Sequence, residues 1–251
     1  MGIRAVIFDL FDTLLLVRSD VTFYERALKK IYCFLLDNGL NFSFEDFMRT
    51  YFEVRDKMYL ETAANLEEPH FKVRFSETMK KLGYNFNSSH PIVNAAARIF
   101  AEEFMQLIVP DGEAEEVLKA LHGKYKLAVV SNLSMHEAVY ELLEKFDMRK
   151  YFDFVVVSSE INRRKPSPEI FKKALNTLNV KACEAIFIGD TLSMDIKGAK
   201  NVQMHAFLIQ RHRLNGVAPP IFGAFAEESQ VQPDRVIKSL KELLSLLKEY
   251  E

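Results

Sequence analysis

Five short, largely apolar runs are the feature that most constrains how this chain can fold. They are residues 3–8, 126–130, 154–157, 185–188 and 206–209. Apolar side chains at successive positions would be buried on both faces, as in the strands of a parallel sheet that is covered by helices on both sides. Runs with helical periodicity lie between and after these strands, at residues 113–122, 135–146, 168–178 and 238–247. This alternation predicts an α/β fold with a doubly wound, mostly parallel sheet.

One long stretch interrupts the alternation between the first and second strands. Residues 16–108 carry helix-period runs and no convincing strand, and Gly39 and Gly83 are suited to end helices. The candidate helices are residues 24–36, 44–59, 71–82 and 91–107. The order predicts a core built from residues 1–15 and 109–251, with residues 16–108 as an inserted all-helical domain. Its many Phe and Tyr residues fit either a small aromatic core or a lid with an apolar inner face, and the two are compatible.

Composition excludes several classes of function. The chain has 251 residues, 49% of them hydrophobic and 27% charged, which is typical of a soluble globular protein of one or two domains. A net charge of −2 gives no electrostatic reason to expect binding to nucleic acid or to an anionic membrane. No apolar run approaches the length of a membrane span, which is roughly 18 residues or more. Cys33 and Cys183 stand in apolar surroundings, where we expect buried free thiols and a reducing cytoplasm.

Polar side chains stand at the carboxyl ends of three predicted strands. Asp9 follows the first strand, Ser131 and Asn132 follow the second, and Asp190 follows the fourth. In open α/β sheets, ligands bind outside the carboxyl ends of the strands, where the strand order reverses. We therefore expect these residues to meet in one site. A carboxylate there can act as a nucleophile, forming an acyl-phosphate or an ester that water later hydrolyses.

The acidic residues of this set predict a metal site. Asp190 and Asp195 would bring two further carboxylates beside Asp9, and like charges this close are costly unless a cation lies between them. An all-oxygen ligand set suits Mg²⁺, which binds one or two carboxylates together with water and substrate phosphate.

Three further residues could bind a phosphoryl group. Lys165 could offset charge on the nucleophile and the substrate, and the hydroxyls of Thr13 and Ser131 could bind phosphoryl oxygens. Each has an ordinary structural explanation when taken alone, such as a turn residue, a helix cap or a surface lysine. Their occurrence in one order along the chain favours a single site.

These motifs, in this order, resemble those of the haloacid dehalogenase superfamily, whose members are mostly phosphatases. The resemblance extends to Arg164-Lys165-Pro166 and to residues 233–237, and it covers essentially the whole chain. It implies a Rossmann-like core and a helical cap, formed by residues 16–108, that closes over the site and selects the substrate. It also implies Mg²⁺-dependent hydrolysis of a small phosphorylated metabolite.

The resemblance further implies roles for individual residues. Asp9 would be the nucleophile and Lys165 the charge-stabilising cation. Three residues would hold the transferring group, namely Thr13, Ser131 and Asn132. Mg²⁺ would be bound by Asp9, the backbone carbonyl of Phe11, Asp190 and, directly or through water, Asp195.

Phe11 departs from the family pattern, which usually has a second aspartate at this position. That aspartate protonates the leaving group and then activates water, and losing such a residue typically costs about 10²–10⁴ in rate. Asp12 stands one residue too late to replace it unless the loop is unusual. If the missing acid alone limits the rate, Phe11→Asp should raise phosphatase turnover.

Two alternatives stay open. The 2-haloacid dehalogenases carry an aromatic residue at the position of Phe11, attack carbon and use no metal. The intact pair Asp190 and Asp195, and the lack of an arginine at residues 40–42, count against that function. The second alternative is a weakly active protein that binds metal and phosphate.

The histidines and one basic segment complete the candidates. The six histidines lack metal-ligand spacing, which argues against a zinc site. His70 could supply a replacement acid from the helical segment, although an exposed loop histidine is the simpler expectation. Arg211-His212-Arg213 could meet an anionic substrate at the edge of the sheet, or form a solvated loop.

Overall fold

The computed structural model describes residues 2–18, 20–210 and 231–250. Its strands are β1 Ala5–Phe8, β2 Leu15–Val17, β3 Ile108–Pro110, β4 Lys126–Ser131, β5 Phe154–Val157, β6 Ala185–Gly189, β7 His205–Ile209 and β8 Arg235–Ile237. Its α-helices are α1 Phe23–Asp37, α2 Phe44–Glu61, α3 Phe71–Lys81, α4 Pro91–Met105, α5 Ala114–Leu121, α6 His136–Lys145, α7 Ser158–Ile161, α8 Pro168–Leu178, α9 Lys197–Asn201 and α10 Glu242–Leu246.

A six-stranded parallel sheet forms the centre of the fold, in the order β5-β4-β1-β6-β7-β8. Alternate residues of β1 enter separate apolar clusters on its two faces: Val6 and Phe8 on one, Ala5 and Ile7 on the other. Helices α5, α6 and α10 contribute to the first cluster, and α8 and α9 to the second. The predicted doubly wound α/β fold is confirmed.

The position of β1 brings the candidate residues together. This strand pairs with both β4 and β6, so Phe8 lies opposite Val129 on one side and Ile188 on the other. The strand order therefore reverses beside β1. The residues that follow β1, β4 and β6 emerge at the same edge of the sheet, where open α/β sheets bind ligands.

Helices α1 to α4 lie between β2 and β3, and their ends differ from the predicted ones by at most two residues. The prediction missed the strands on either side of them. Strands β2 and β3 form an antiparallel pair in which Leu16 lies opposite Val109. Residues 16, 17 and 108 are therefore strand residues, in contrast to the predicted all-helical stretch. Three-residue strands are too short to show an alternating pattern in sequence.

Three other expectations were wrong or incomplete. Cys33 and Cys183 are free thiols but both are exposed, because they lie on the outward face of a helix and in a surface turn. The predicted helix at residues 238–247 is α-helical only over α10, which a 3₁₀ turn at Leu247–Tyr250 follows. Strand β8 has no counterpart in the prediction. Arg211-His212-Arg213 lies outside the described residues.

Helix length bears on membrane association. Among the described residues, no helix combines the length and the apolar character that crossing a bilayer requires.

Candidate active site

Asp9 is held at the end of β1 with both carboxylate oxygens engaged. The residue is 5% exposed, and the backbone N–H of Asp9 donates to the carbonyl of Ile188 at 2.8 Å, which keeps the residue against β6. Thr13 Oγ1 donates to Oδ2 at 3.2 Å, and Lys165 Nζ lies 2.5 Å from Oδ1. The predicted nucleophile, one predicted binding residue and the predicted lysine are therefore in direct contact.

Lys165 joins two acids across the site. Its ammonium lies 2.5 Å from Asp9 Oδ1 and 2.7 Å from Asp195 Oδ1, and the side chain is 3% exposed. Burial alone would lower the pKa of Lys165, but the carboxylates of Asp195 and Asp9 raise it above its ordinary value. Lys165 is therefore a fixed positive charge inside the site.

Asn132 positions the lysine. Its Oδ1 accepts from the backbone N–H of Lys165 at 2.8 Å, and its Nδ2 donates to the carbonyl of Lys165 at 3.2 Å. The side-chain amide predicted to bind substrate thus bonds the lysine backbone at both ends. The residue after β4 fixes the loop that carries the cation.

The two acids after β6 are held by the residue between them. Thr191 donates its backbone N–H to Asp195 Oδ2 at 3.0 Å and its hydroxyl to Asp190 Oδ1 at 3.0 Å. Asp195 lies in a π-helical turn, Leu192–Ile196, and is 1% exposed. Gly189 permits its approach, because a Cβ there would lie 2.4 Å from Asp195 Cγ. The sequence feature that could have identified this role of Thr191 is its position between Asp190 and Asp195.

Burial and mutual repulsion make the carboxylates retain protons. Burial, with a smaller effect from Asp195, raises the pKa of Asp9 from 3.8 to about 7 even though Lys165 lowers it. Burial, then the negative charges of Asp195, Asp9 and Asp12, raises the pKa of Asp190 well above its ordinary value. One ammonium does not balance the acids gathered here.

The acids fit a divalent cation. One oxygen from each of Asp9, Asp190 and Asp195 lies within 4.8 Å of the other two. With Lys165 counted, three ionised carboxylates leave a charge of −2, which a divalent ion would neutralise. Oxygen ligands alone are the donor set of hard cations such as Mg²⁺.

Ser131 supplies an unsatisfied hydroxyl at the end of β4. Its side chain is fully buried, and Oγ has no hydrogen-bond partner among the described residues. Leaving such a group unpaired costs about 1–3 kcal/mol, so a ligand oxygen that bonds it would recover that energy. This geometry suits the predicted role of Ser131 in holding an anionic group.

The side chain of Phe11 packs into the apolar core and has no group that could take part in catalysis. It is 5% exposed, and its ring packs edge-on against Phe104 of α4 at a centroid distance of 5.5 Å. An aspartate on the same backbone would be desolvated against Phe104, which is destabilising. The expectation that Phe11→Asp restores an acid therefore does not follow from this geometry.

Asp12 adopts an unusual conformation next to Phe11. Its φ is 55°, in the left-handed region that Asp tolerates better than most residues. Its Oδ1 accepts from the backbone N–H of Val17 at 3.1 Å, so the carboxylate helps to fix the end of β2. Its charge also acts on Asp190.

Arg164 links the Lys165 loop to the helical segment, a role that its motif did not reveal. Its Nη1 donates to Thr62 Oγ1 at 3.0 Å and to the carbonyl of Glu67, and its Nη2 donates to the carbonyl of Thr62 at 3.1 Å. Nothing in the sequence pairs residues so distant in the chain.

Two histidines do cluster, contrary to expectation. The rings of His70 and His136 have centroids 5.2 Å apart, and Glu137 lies beside both. The sequence separation of the two histidines hid this proximity, because α3 and α6 meet only in the folded chain.

Comparisons with known proteins agree with the fold. The family model of haloacid dehalogenase-like hydrolases matches residues 3–203. Glyceraldehyde 3-phosphate phosphatase of Pyrococcus furiosus is 27% identical over 253 residues, covering 98% of this chain and 93% of that protein. The 2-haloacid dehalogenase of Pseudomonas syringae pv. Tomato DC3000 has a TM-score of 0.73 at 21% identity, covering 99% of this chain and 100% of that one. A HAD phosphatase of Thermococcus onnurineus has a TM-score of 0.60 at 22% identity, covering 98% of each chain. The two structural likenesses show the fold.

We predict that Gly189→Ala destabilises the fold by about 1–3 kcal/mol, the usual cost of overpacking. The added methyl would meet the side chain of Asp195, which Thr191 and Lys165 hold in place. Gly112→Ala is the matched control, since a Cβ there meets nothing within 4 Å. Urea unfolding measures both variants, and equal stabilities would contradict the tight approach of Asp195.

We predict that, with chelator present, the wild type loses stability relative to Asp9→Asn as pH rises from about 4 to about 7. The pKa of Asp9 is about 7 in the folded chain against 3.8 ordinarily, so the folded state holds a proton that the unfolded chain has released. The contribution of Asp9 to the free energy of unfolding is therefore complete below the unfolded pKa. It falls as the pH rises toward the folded pKa, by at most about 1.4 kcal/mol per pH unit. Urea unfolding at several pH values measures the difference, and parallel curves would refute it.

Proposed function

The chain belongs to the haloacid dehalogenase-like hydrolase family, and we propose that it hydrolyses phosphomonoesters with Mg²⁺ through a phosphoryl-aspartate on Asp9. The chain is thus a hydrolase, and the substrate chemistry is our proposal. The observation that carries it is the cluster of Asp9, Asp190 and Asp195, of which Asp9 and Asp195 contact Lys165. At the same edge of the sheet, the hydroxyl of Ser131 has no hydrogen-bond partner within the described part of the chain. This arrangement suits a divalent cation and an anionic ligand together.

The proposed reaction has two displacements at phosphorus. A carboxylate oxygen of Asp9 attacks phosphorus, the bond to the ester oxygen breaks, and the alcohol leaves after taking up a proton. Water then attacks the phosphoryl-aspartate, releasing phosphate and restoring the carboxylate. The burial and ion pairing of Asp9 keep its oxygens in a fixed orientation for the first step.

Lys165, Thr13 and Ser131 would stabilise the transferring group. The ammonium of Lys165 lies against Asp9, so it can follow the negative charge from the carboxylate to the phosphoryl oxygens. The hydroxyls of Thr13 and Ser131 would bind the remaining phosphoryl oxygens, and Asn132 would hold the loop that carries Lys165 in position.

Mg²⁺, when bound, would neutralise charge on the phosphoryl group and on the acids around it. Asp9, Asp190 and the backbone carbonyl of Phe11 would hold it, with Asp195 as a further ligand, directly or through water. The family to which the chain belongs and the donor set of the three acids support this assignment.

Residues 16–108 would form the cap that selects the substrate. Support comes from helices α1 to α4, which are inserted between β2 and β3, and from Arg164, which ties this segment to the lysine loop. The substrate would be a small phosphorylated metabolite, as the names of relatives such as glyceraldehyde 3-phosphate phosphatase suggest. A cytoplasmic location, with no nucleic acid as partner, stays a prediction from composition.

Metal-independent 2-haloacid dehalogenation is the second candidate. The aromatic Phe11 favours it, since halide leaves without a proton. The three buried acids oppose it. Without a cation they either carry charge that repels an anionic 2-haloacid or stay protonated, which would disable Asp9 as the nucleophile. Phosphate chemistry with a metal resolves that conflict.

We predict phosphate release that requires Mg²⁺ and no halide release in chelator. The assay compares aryl phosphate, glyceraldehyde 3-phosphate and 2-chloropropionate, each with Mg²⁺ and with chelator. Asp9→Asn should lower phosphate release by roughly 10³-fold or more, as loss of a nucleophile does. Asp37→Asn, at an exposed position, is the control and should match the wild type. Halide release in chelator would reverse the ranking, and phosphate release that is equal in chelator would overturn the metal requirement.

We predict that aryl phosphates react faster than alkyl phosphates in the first chemical step. Phe11 supplies no acid, so poor leaving groups lose the usual contribution of general-acid catalysis, which is about 10²–10⁴. Single-turnover rates for phenyl and glycerol phosphates measure the ratio. Phe11→Leu, which keeps an apolar group against Phe104, should leave that ratio unchanged. Equal rates for the two esters would mean that another residue donates the proton, and Asp12→Asn would test the nearest carboxylate in sequence.

A further inference from the structure

His70, His136 and Glu137 form a cluster where the helical segment meets the core. His70 is the N-cap of α3, and the other two residues begin α6. Oε2 of Glu137 lies 2.8 Å from Nε2 of His70 and 3.9 Å from Nδ1 of His136. One donor atom from each residue lies within 4.8 Å of the other two. We propose that this cluster binds a divalent cation of the zinc class and thereby joins the helical segment to the core.

The donor set selects a different metal from the one proposed for the acidic site. Two imidazoles and a carboxylate are ligands of zinc, at about 2.0–2.2 Å in tetrahedral geometry, whereas Mg²⁺ prefers oxygen alone. Bonds of that length place neighbouring tetrahedral ligands about 3.3 Å apart. The distances of 2.8 Å and 3.9 Å lie on either side of this value, so small side-chain rotations bring the three donors into place.

Neighbouring groups already orient the ligands. Lys72 Nζ lies 3.1 Å from Oε1 of Glu137, which leaves Oε2 toward the imidazoles. The hydroxyl of Ser159 lies 3.4 Å from Nδ1 of His136 and can donate to it, so this nitrogen can carry a lone pair, which a metal would take over from the hydroxyl. The backbone bond from Phe71 N–H to the carbonyl of Ser134, at 2.8 Å, holds the two segments together beside the cluster.

Metal binding has a defined cost at His70. Its Nδ1 accepts from the backbone N–H of Lys72 at 3.1 Å, so Nε2 carries the proton in the neutral ring. Coordination through Nε2 moves that proton to Nδ1 and breaks the cap bond, which is worth about 0.5–2 kcal/mol. That cost is small beside the binding energy of a three-ligand zinc site, which suits a site that fills reversibly.

The test uses Co²⁺ as a spectroscopic probe for zinc in the full chain. Co²⁺ is titrated with Mg²⁺ in excess to occupy the acidic cluster, and visible absorption reports tetrahedral coordination, independently of any hydrolytic activity. The wild type should show one tetrahedral Co²⁺ site, and Zn²⁺ should displace the Co²⁺ from it. His70→Asn keeps a capping side chain but removes a ligand, and should weaken Co²⁺ binding at least about 10-fold.

His90→Asn is the matched control. His90 caps α4 as His70 caps α3, with Nδ1 accepting from the N–H of Ile92 at 3.2 Å. Its variant should bind Co²⁺ like the wild type, and thermal unfolding without Co²⁺ should show both variants folded. A wild type without tetrahedral absorption, or a His70→Asn variant that binds as tightly as His90→Asn, would overturn the proposal.

Discussion

The contact of Lys165 with Asp9 and Asp195 is the interaction on which the rest of the site depends. A buried ammonium is costly unless acids surround it, and buried acids are costly unless a cation separates them, so each group is stable only with the others in place. The lysine balances one of three charges. Burial, together with the remaining negative charge, keeps the pKa of Asp9 and of Asp190 high, and that charge favours the binding of a divalent ion.

This arrangement in turn requires backbone positions that only the sheet provides. Strand β1 lies between β4 and β6, so one loop end supplies Asp9, another Ser131 and Asn132, and the third the acids after Gly189. Asn132 then bonds the backbone of Lys165 at both its N–H and its carbonyl, although the lysine lies 33 residues further along the chain. The cation is thus positioned by the strand order and not by its own local sequence.

What could be predicted follows from how local each signal is. Five of the eight described strands and most ends of the predicted helices were predictable, because burial on one or both faces leaves a pattern in the sequence. The three-residue strands β2, β3 and β8 are too short to leave one. The meeting of Asp9, Ser131 and Asp190 was also predictable, since parallel strands share a carboxyl edge. The bond of Asn132 to Lys165, the contacts of Arg164 and the closeness of His70 to His136 were not. Each depends on side-chain directions between segments that are distant in sequence.

Phe11 shows how one substitution links these levels. Its side chain belongs to the same apolar cluster as Phe104, Phe23 and Phe100, which continues into the helical segment. A charged residue at position 11 would face that cluster. The aromatic ring cannot carry a proton, but it packs the Asp9 loop against α4. Motion of the helical segment would then be felt at Asp9 through Phe11 as well as at Lys165 through Arg164. The two charges that meet in the site are each attached to the segment proposed to cover it.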